Sequence, residues 1–515
     1  MSIEKNLPQG WRTSKIGEVC ESSQYGYTAK AGPSGRVRFL RTTDITSGFI
    51  NWDKVPFCDI SEEEEGKYIL QDGDIVISRA GSVGYSYLIS NPKPAVFASY
   101  LIRFRPLIKP KFFAYFLNTQ DYWNAISERS LGIAVQNVNA SQLSEITLPV
   151  APQEEQTRIV EKLEELLSDL DAGVVELKAA QKKLAQYRQS LLQAVVEGEL
   201  TAEWRKQNKA QETGAQLLKR ILTERRIQWE AKQLAKFKEQ DKTPPKDWQD
   251  KYPEPVQPDT TDLPTLPEGW VWASLSQAGW LDRGKSKHRP RNAPHLYGGP
   301  YPFVQTGDIR HSDTFIASVE ATYSEAGLAQ SRLWPVGTMC ITIAANIGKT
   351  TILSMDACFP DSVVGFLAGA DDVSIRYIEY FMRSIQQKLE DEAPATAQKN
   401  INLEILEKVV IPIPPIDEQL QMVERLDEAL IAASEQNRAI ELGIKQSAAQ
   451  RKNILKAAFS GQLVPQDPND EPASVLLERI RAERAAREKQ PKIRKARSSK
   501  ESGAKTRSPL PPGEG

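Results

Sequence analysis

The stretch LPVAPQEEQ at Leu148–Gln156 returns as IPIPPIDEQ at Ile411–Gln419, with Pro152 and Pro415 lying 263 positions apart. The same offset carries QSLLQAVVEGEL (Gln189–Leu200) onto KNILKAAFSGQL (Lys452–Leu463) and Arg188 onto Arg451. Upstream, LPQGW at Leu7–Trp11 returns as LPEGW at Leu266–Trp270. Between these anchors the echo is fainter: FLRTTDI (Phe39–Ile45) answers FVQTGDI (Phe303–Ile309), and DGDIVISRAGSVG (Asp72–Gly84) answers VGTMCITIAANIG (Val336–Gly348). Self-similarity held in frame over a whole chain marks an internal duplication. The chain therefore reads as a mixed domain and a long helix, followed by a second mixed domain and a second long helix.

Each helix opens on proline and an acidic, glutamine-bearing first turn, PQEEQ or PIDEQ, which suits the positive end of the helix dipole. The first runs free of proline from Gln153 to at least Glu197, about 68 Å at 1.5 Å per residue. Its apolar frame is a heptad: Val160, Leu163, Leu167, Leu170, Val174, Leu177, Gln181, Leu184, Arg188, Leu191 and Val195. The second helix keeps that frame with Val423, Leu426, Leu430, Ala433, Asn437, Ile440, Ile444, Ser447, Arg451, Ile454 and Ala458. A strip this narrow calls for one partner helix. The economical partner for each is the other, paired antiparallel as a pseudo-twofold requires, with the polar positions fixing register. Pairing with a second copy of the chain is the alternative.

The mixed segments hold short β-type runs, IVIS (Ile75–Ser78), YLIRF (Tyr100–Phe104) and MCITI (Met339–Ile343), bounded by Gly, Pro, Asn and Asp. Helical pieces follow around Lys111–Ser127 and Ser374–Glu390. The predicted fold class is α+β, with two globular α/β domains separated by two long helices that pair as an antiparallel coiled coil. The expected boundaries are a first domain over 1–152, its helix over 153–200 and a helical extension over 201–243. A proline-rich linker (244–265), the second domain (266–415), its helix (416–464), another extension (465–490) and a basic, disordered tail (491–515) complete the chain.

At 515 residues the chain exceeds one ordinary core. Charged residues at 26% and hydrophobic ones at 40% are those of a folded domain protein, and the net charge of −1 argues against indiscriminate coating of nucleic acid. No apolar run approaches a membrane span and the opening MSIEKNLPQGW lacks a signal-peptide pattern, so the expectation is a cytoplasmic protein without membrane contact. Cys20, Cys58, Cys340 and Cys358 form no CxxC pair, and His288, His295 and His311 lack the neighbours of a zinc site, so no metal is expected. NIGKT at Asn346–Thr350 resembles the end of a phosphate-binding loop, but Ile343 stands where the first glycine belongs. It reads instead as a tight turn whose Asn346, Lys349 and Thr350 are exposed to a ligand. The run Glu62–Glu65 reads as a solvated helix start. No catalytic residue is assigned, because no nucleophile elbow, HExxH or dinucleotide fingerprint is present.

Base reading needs Arg, Lys, Asn, Gln, Ser or Thr presented to groove edges, and positioning needs cations on phosphates. Two loops, early in each domain, offer such side chains. The first (Gln24–Arg41) carries Tyr25, Tyr27, Lys30, Arg36, Arg38 and Arg41; the second (Asp282–Asn292) carries Arg283, Lys285, Lys287, Arg289 and Arg291. The matched turns after the strands add Ser78, Arg79 and Ser82 against Asn346 and Lys349. Because the loops differ almost entirely in sequence, two readers would read different half-sites of a bipartite, asymmetric target.

With LPQGW/LPEGW, DGDIVISRAGSVG/VGTMCITIAANIG and LPVAPQEEQTRIV/IPIPPIDEQLQMV, the chain resembles the specificity subunit of type I restriction–modification enzymes over nearly its full length. The resemblance implies two target-recognition domains held apart by paired helices, reading double-stranded DNA. It implies two methyltransferase subunits clamped around them and restriction subunits joining later, with S-adenosylmethionine, ATP and Mg used by those partners and no cofactor bound by this chain. The second copy departs from the acidic GDI form. A coiled-coil adaptor without DNA specificity, or an enzyme acting alone, are the competing classes.

Overall fold

The computed structural model describes residues 7–130, 137–370, 373–393 and 400–489; the basic tail expected from 491 onward lies outside them. The chain forms two compact units, one of residues 1–176 with 443–515 and one of residues 177–442.

In the first unit, Arg12–Lys15 pairs antiparallel with Thr147–Val150, so the start and end of the mixed domain meet immediately before the long helix. Inside lie a four-stranded sheet ordered Gln24–Tyr25, Leu101–Phe104, Ile75–Ser78, Ser86–Leu88, and a three-stranded sheet centred on Val37–Leu40. Ile75–Ser78 is buried throughout, as its β-branched run at a sheet centre requires. The second unit repeats the plan: Val271–Ser274 pairs with Val410–Ile413, and Met339–Thr342, again fully buried, sits at the centre of a five-stranded sheet. The helical pieces are each broken in two, into Pro110–Phe116 and Gln120–Ser130 in the first copy and Ile375–Ser384 and Gln386–Glu392 in the second.

The repeated motifs meet each other. Trp11 Nε1 donates to Glu155 Oε2 at 3.0 Å, and Trp270 Nε1 donates to Glu418 Oε2 at 2.9 Å, with both carboxylates buried. The next glutamine closes the joint. Gln156 donates to Ala151 O and accepts from the Lys109 amide; Gln419 donates to Pro414 O and accepts from the Ser374 amide. LPxGW and PxxEQ are thus two halves of one latch that ties the strand pair, the following helix and the mixed domain together.

The latches are not equal. Glu418 Oε1 also accepts from Thr201 Oγ1 at 2.7 Å and from the Arg205 guanidinium at 2.8 Å. Glu155 Oε1 is buried without a hydrogen-bond partner, and burial lifts this carboxyl above the usual carboxylate range.

The long helices span Gln153–Glu197 and Ile416–Phe459. Their pairing is antiparallel within each unit. In the first unit Leu163 and Leu167 share a core with Ile454, Leu455 and Ala458, and Arg451 pairs with Asp171. In the second, Leu191 and Val195 pack with Met422 and Leu426, and Gln181 Nε2 donates to Asn437 Oδ1 at 3.2 Å. Burial follows the heptad. Leu170, Leu177, Leu184, Leu430, Ile440 and Ile444 are half-buried, whereas Val175, Leu442 and Ile431, off the stripe, are exposed.

After each long helix a second helix docks. Gly214 begins the helix Gly214–Glu239 and donates its amide to Gly269 O at 2.7 Å; a side chain there would meet Ile413 O at 2.0 Å, so only glycine fits. In the first unit Ala473, heading Ala473–Lys489, donates likewise to Gly10 O at 2.8 Å. The proline-rich stretch is held against the second unit. Trp248 stacks on Trp229, Tyr252 packs edge-on to Trp280, and Val256 exchanges hydrogen bonds with Ser274 and Ser276. The stretch expected as a linker thus also clasps the second unit, with Trp248 and Tyr252 packed on the docking helix through Trp229.

Three outcomes follow for calorimetry of the full chain. Glu418→Gln leaves one of three donors without an acceptor and lowers the second unit's stability by about 2 kcal/mol, or about 4–8 °C. Glu155→Gln keeps its tryptophan bond and removes a buried charge, so at pH 8 the first unit melts no lower than wild type. Because the folded Glu155 carboxyl is raised, its contribution is present below the ordinary carboxylate range and lost as pH rises through the raised value; Glu155→Gln should abolish that dependence. Replacing Gln181 and Asn437 together by leucine should stabilise the second unit by about 1 kcal/mol, read as an upward shift of its transition.

Candidate nucleic-acid interface

In the first unit four loops converge at the end of the central strand Ile75–Ser78. The Arg79 amide donates to Tyr100 O, and its carbonyl accepts from the Val138 amide. Its guanidinium lies over the Tyr25 ring, 5.0 Å from the centroid, with Asn137 Oδ1 at 3.5 Å. Tyr25 is itself held by the Ala140 amide donating to its hydroxyl at 3.0 Å. Tyr100 is 62% exposed. With Thr42, Thr43, Thr46 and Ser82 it lines a depression of 330 Å³, in which Gly81 adopts a positive φ of 77°. Thr42 Oγ1 is buried there without a hydrogen-bond partner.

A planar cation, hydroxyls and an exposed aromatic face on rigid strand ends are the donors, acceptors and stacking surface that base edges require. Arg79 and Lys30 have no acidic partner among the described residues, which leaves both free to meet an anion.

The other first-loop cations hold the fold. Arg36 pairs with Glu65 at 2.6 Å and Glu62 at 3.3 Å, both on the helix Glu62–Tyr68 that Ser61 caps. Arg38 donates to Trp52 O and Val55 O and lies over Phe57. Arg41 grips Asp44 through two bonds of 3.0 and 2.9 Å. Tyr27 packs on Tyr68 and donates to Glu64. Ser78 requires a correction: it is fully buried and its hydroxyl donates to Ala80 O, because it is the last residue of the buried central strand and not part of the turn that follows.

In the second unit the corresponding strand end is Thr342 and Ile343, whose amide donates to Ser362 O as Arg79 does to Tyr100 O. Ala345 and Asn346 both take positive φ, 50° and 68°, which presents Asn346 at the exposed tip of the turn. Lys349 is half-buried, and burial together with Arg383 lowers its pKa. Thr350, expected at the surface, is fully buried and donates to Glu379 Oε1 at 3.1 Å, since the strand Thr350–Leu353 begins with it.

The basic loop is braced on Asp361. Arg283 donates to its carbonyl at 3.0 and 2.6 Å, and Arg291 to its carboxylate at 2.8 and 3.1 Å. Arg289 caps Ser286 O and His288 O. Lys285 and Lys287 are exposed without an ion-pair partner among the described residues. Lys285 lines a groove with Lys232, Trp280 and Arg332.

Tyr100, Thr42, Thr46 and Asn137 were not legible beforehand as site residues. The only signal was their place just beyond strands, which is where base-reading loops sit on a rigid scaffold. Among the described residues no three His, Cys, Asp or Glu gather to hold a metal ion, and no helix is long and apolar enough to cross a membrane. The four cysteines are buried free thiols.

A model of the type I restriction modification DNA specificity domain matches residues 8–182 and again 267–445. The chain is similar to the EcoDI specificity subunit of Escherichia coli, 22% identical over 93% of this chain and 96% of that protein. It is similar to the EcoKI specificity subunit of Escherichia coli strain K12, 23% identical over 93% and 97%. Among solved structures, a chain of a type I R-M system studied for complex assembly and conformational transition shares the fold at a TM-score of 0.63 and 18% identity, covering 88% of this chain and 99% of that one. The HsdS subunit of Thermoanaerobacter tengcongensis does so at 0.51 and 18%, covering 89% and 99%. The two matched segments coincide with the two halves that the tryptophan–glutamate latches mark as copies, and the chain belongs to the type I restriction modification DNA specificity family.

Proposed function

We propose that this chain is the non-catalytic, sequence-reading subunit of a type I restriction–modification assembly, working in the cytoplasm on double-stranded DNA. The observation that carries the reading is the contrast between frame and loops. Latches, strand pairs and heptad are repeated, whereas the side chains at the two strand ends, Tyr25, Arg79, Ser82 and Tyr100 against Asn346 and Lys349, differ. One frame carrying two different reading surfaces suits a bipartite, asymmetric target, with Lys30 and Arg289 placed for phosphates. The relatives are themselves named specificity subunits of type I restriction enzymes, which supports the same role here.

In this reading two methyltransferase subunits and the restriction subunits supply the chemistry, and S-adenosylmethionine, ATP and Mg belong to them. The paired helices set the spacer between the half-sites.

Exchanging residues 266–415 for the equivalent domain of another family member should change one half of the methylated target and leave the other intact, as read by genome-wide mapping of methylated adenines. Unchanged sites after the exchange would sink the proposal. Arg79→Ala should relax the first unit's half-site at one position, costing about 1–3 kcal/mol in specific binding. Adding one heptad to each long helix should lengthen the spacer with both half-sites unchanged.

A further inference from the structure

The second unit contains a cleft of 730 Å³ between the turn ending at Lys349, the helix Ile375–Ser384 and the paired long helices. Five cations line it, and two are neutralised: Arg376 by Asp427, and Arg383 by Glu379 and Asp313. Arg188, Lys349 and Arg438 have no acid within ion-pairing distance among the described residues. Lys349 is nevertheless half-buried, and the acids that act on it, Asp313 and Glu379, are already paired with Arg383.

The internal repeat supplies a control. In the first unit the equivalent of Arg188 is Arg451, and it is paired with Asp171; the equivalent of Asp171 is Ser434, so the second unit lacks that acid. Where the second unit has Lys349, Arg383 and Arg438, the first has Tyr85, packed edge-on to Trp123, together with Asn118 and Val175. Two exchanges run the other way, Glu435 for Ala172 and Gln189 for Lys452. The shared contact between cation, tyrosine and acid is kept in both, as Lys111, Tyr115 and Glu164 in one and Arg376, Tyr380 and Asp427 in the other. The frame of the cleft is therefore common to both copies, and among the described residues three unpaired cations line it in the second unit where Lys452 alone stands unpaired in the first.

We propose that the Arg188–Lys349–Arg438 cleft holds phosphate groups of the DNA backbone next to the half-site read by the second unit. The inference rests on the reading of the chain as a DNA-recognition subunit. Asn346, at the exposed tip of the turn, and Lys349, three residues later in the cleft, place a base-reading group and a phosphate-holding group on one segment. A backbone contact of this kind adds affinity and register without sequence information.

The test uses the full chain, in its DNA-binding assembly, and measures affinity for the target duplex against salt concentration. The triple variant Arg188→Gln, Lys349→Gln, Arg438→Gln should flatten the log–log slope by about 0.9 for each phosphate released, or about 2.7 in all. Between 50 and 200 mM salt its affinity should then fall by a factor roughly forty-fold smaller than that of wild type. Target and non-target duplexes should weaken together, and the methylated sequence should not change. Lys232→Gln, outside the cleft, should leave the slope alone.

The single variants Lys349→Gln and Arg438→Gln, each expected to flatten the slope by about 0.9, cover the case of a misfolded triple variant. Ethylation of target phosphates on the wild-type complex probes the same contact without altering the protein, and should reveal interfering positions that vanish in the variants. An unchanged slope with specific binding intact would overturn the cleft assignment and leave the DNA-recognition reading standing. An unchanged slope with loss of partner subunits would make the cleft a protein-docking surface, and binding of free inorganic phosphate with an unchanged slope would make it a small-anion site; either result overturns the proposal. A wild-type assembly without salt-sensitive target binding would remove both readings together.

Discussion

A tryptophan indole hydrogen-bonded to a buried glutamate, made once in each unit, is the constraint on which the rest of the structure hangs. The bond joins residues 144 and 148 positions apart and acts at the one place where the opening strand, the closing strand and the long helix meet. A buried carboxylate is costly to strand, so neither partner can be lost cheaply. With the latch closed, the mixed domain has a fixed attachment to its helix. The reading loops then inherit the precision of the frame although they lie on turns.

The two copies have used that frame unequally. In the second unit Thr201 and Arg205 complete the shell of Glu418; in the first, Glu155 keeps one oxygen unsatisfied and has Trp11 as its one hydrogen-bond donor among the described residues. A similar division runs through the surfaces. One copy pairs its coil arginine with Asp171, while the other leaves Arg188 open. Duplication set the positions, and divergence has redistributed charge among them.

Much of the frame was legible in the residues. Heptad periodicity is a local property, and within the stripe from Val160 to Val195 the middle positions Leu170, Leu177 and Leu184 are half-buried while Val175 beside them is exposed. The strand–turn motifs were legible for the same reason. The site was less so. Arg36, Arg41, Arg283 and Arg291 read as DNA-facing cations, yet Glu65, Asp44 and Asp361 hold them, and those acids lie anywhere from three to seventy-eight positions away in sequence. For Arg36, Arg283 and Arg291 the residue that holds the cation lies at long range, which no local pattern records. Tyr100 and Thr42 escaped for the complementary reason, since their types are unremarkable and only the meeting of separate loops gives them a common depression.

The docking helices carry a consequence for how the molecule is made. The helix Gly214–Glu239 closes the unit that contains Gly269, so the second unit, residues 177–442, is an uninterrupted stretch of chain. The first unit needs Ile454, Leu477 and Ile480 against its core and Ala473 against Gly10. On a ribosome the first domain to emerge is therefore the last to be finished, and Leu163 and Leu167 wait uncovered while some three hundred further residues are added. The docking helix Ala473–Lys489 thus shields residues made some three hundred positions earlier, and a chain released before Ile480 would carry a finished second unit and an open first one.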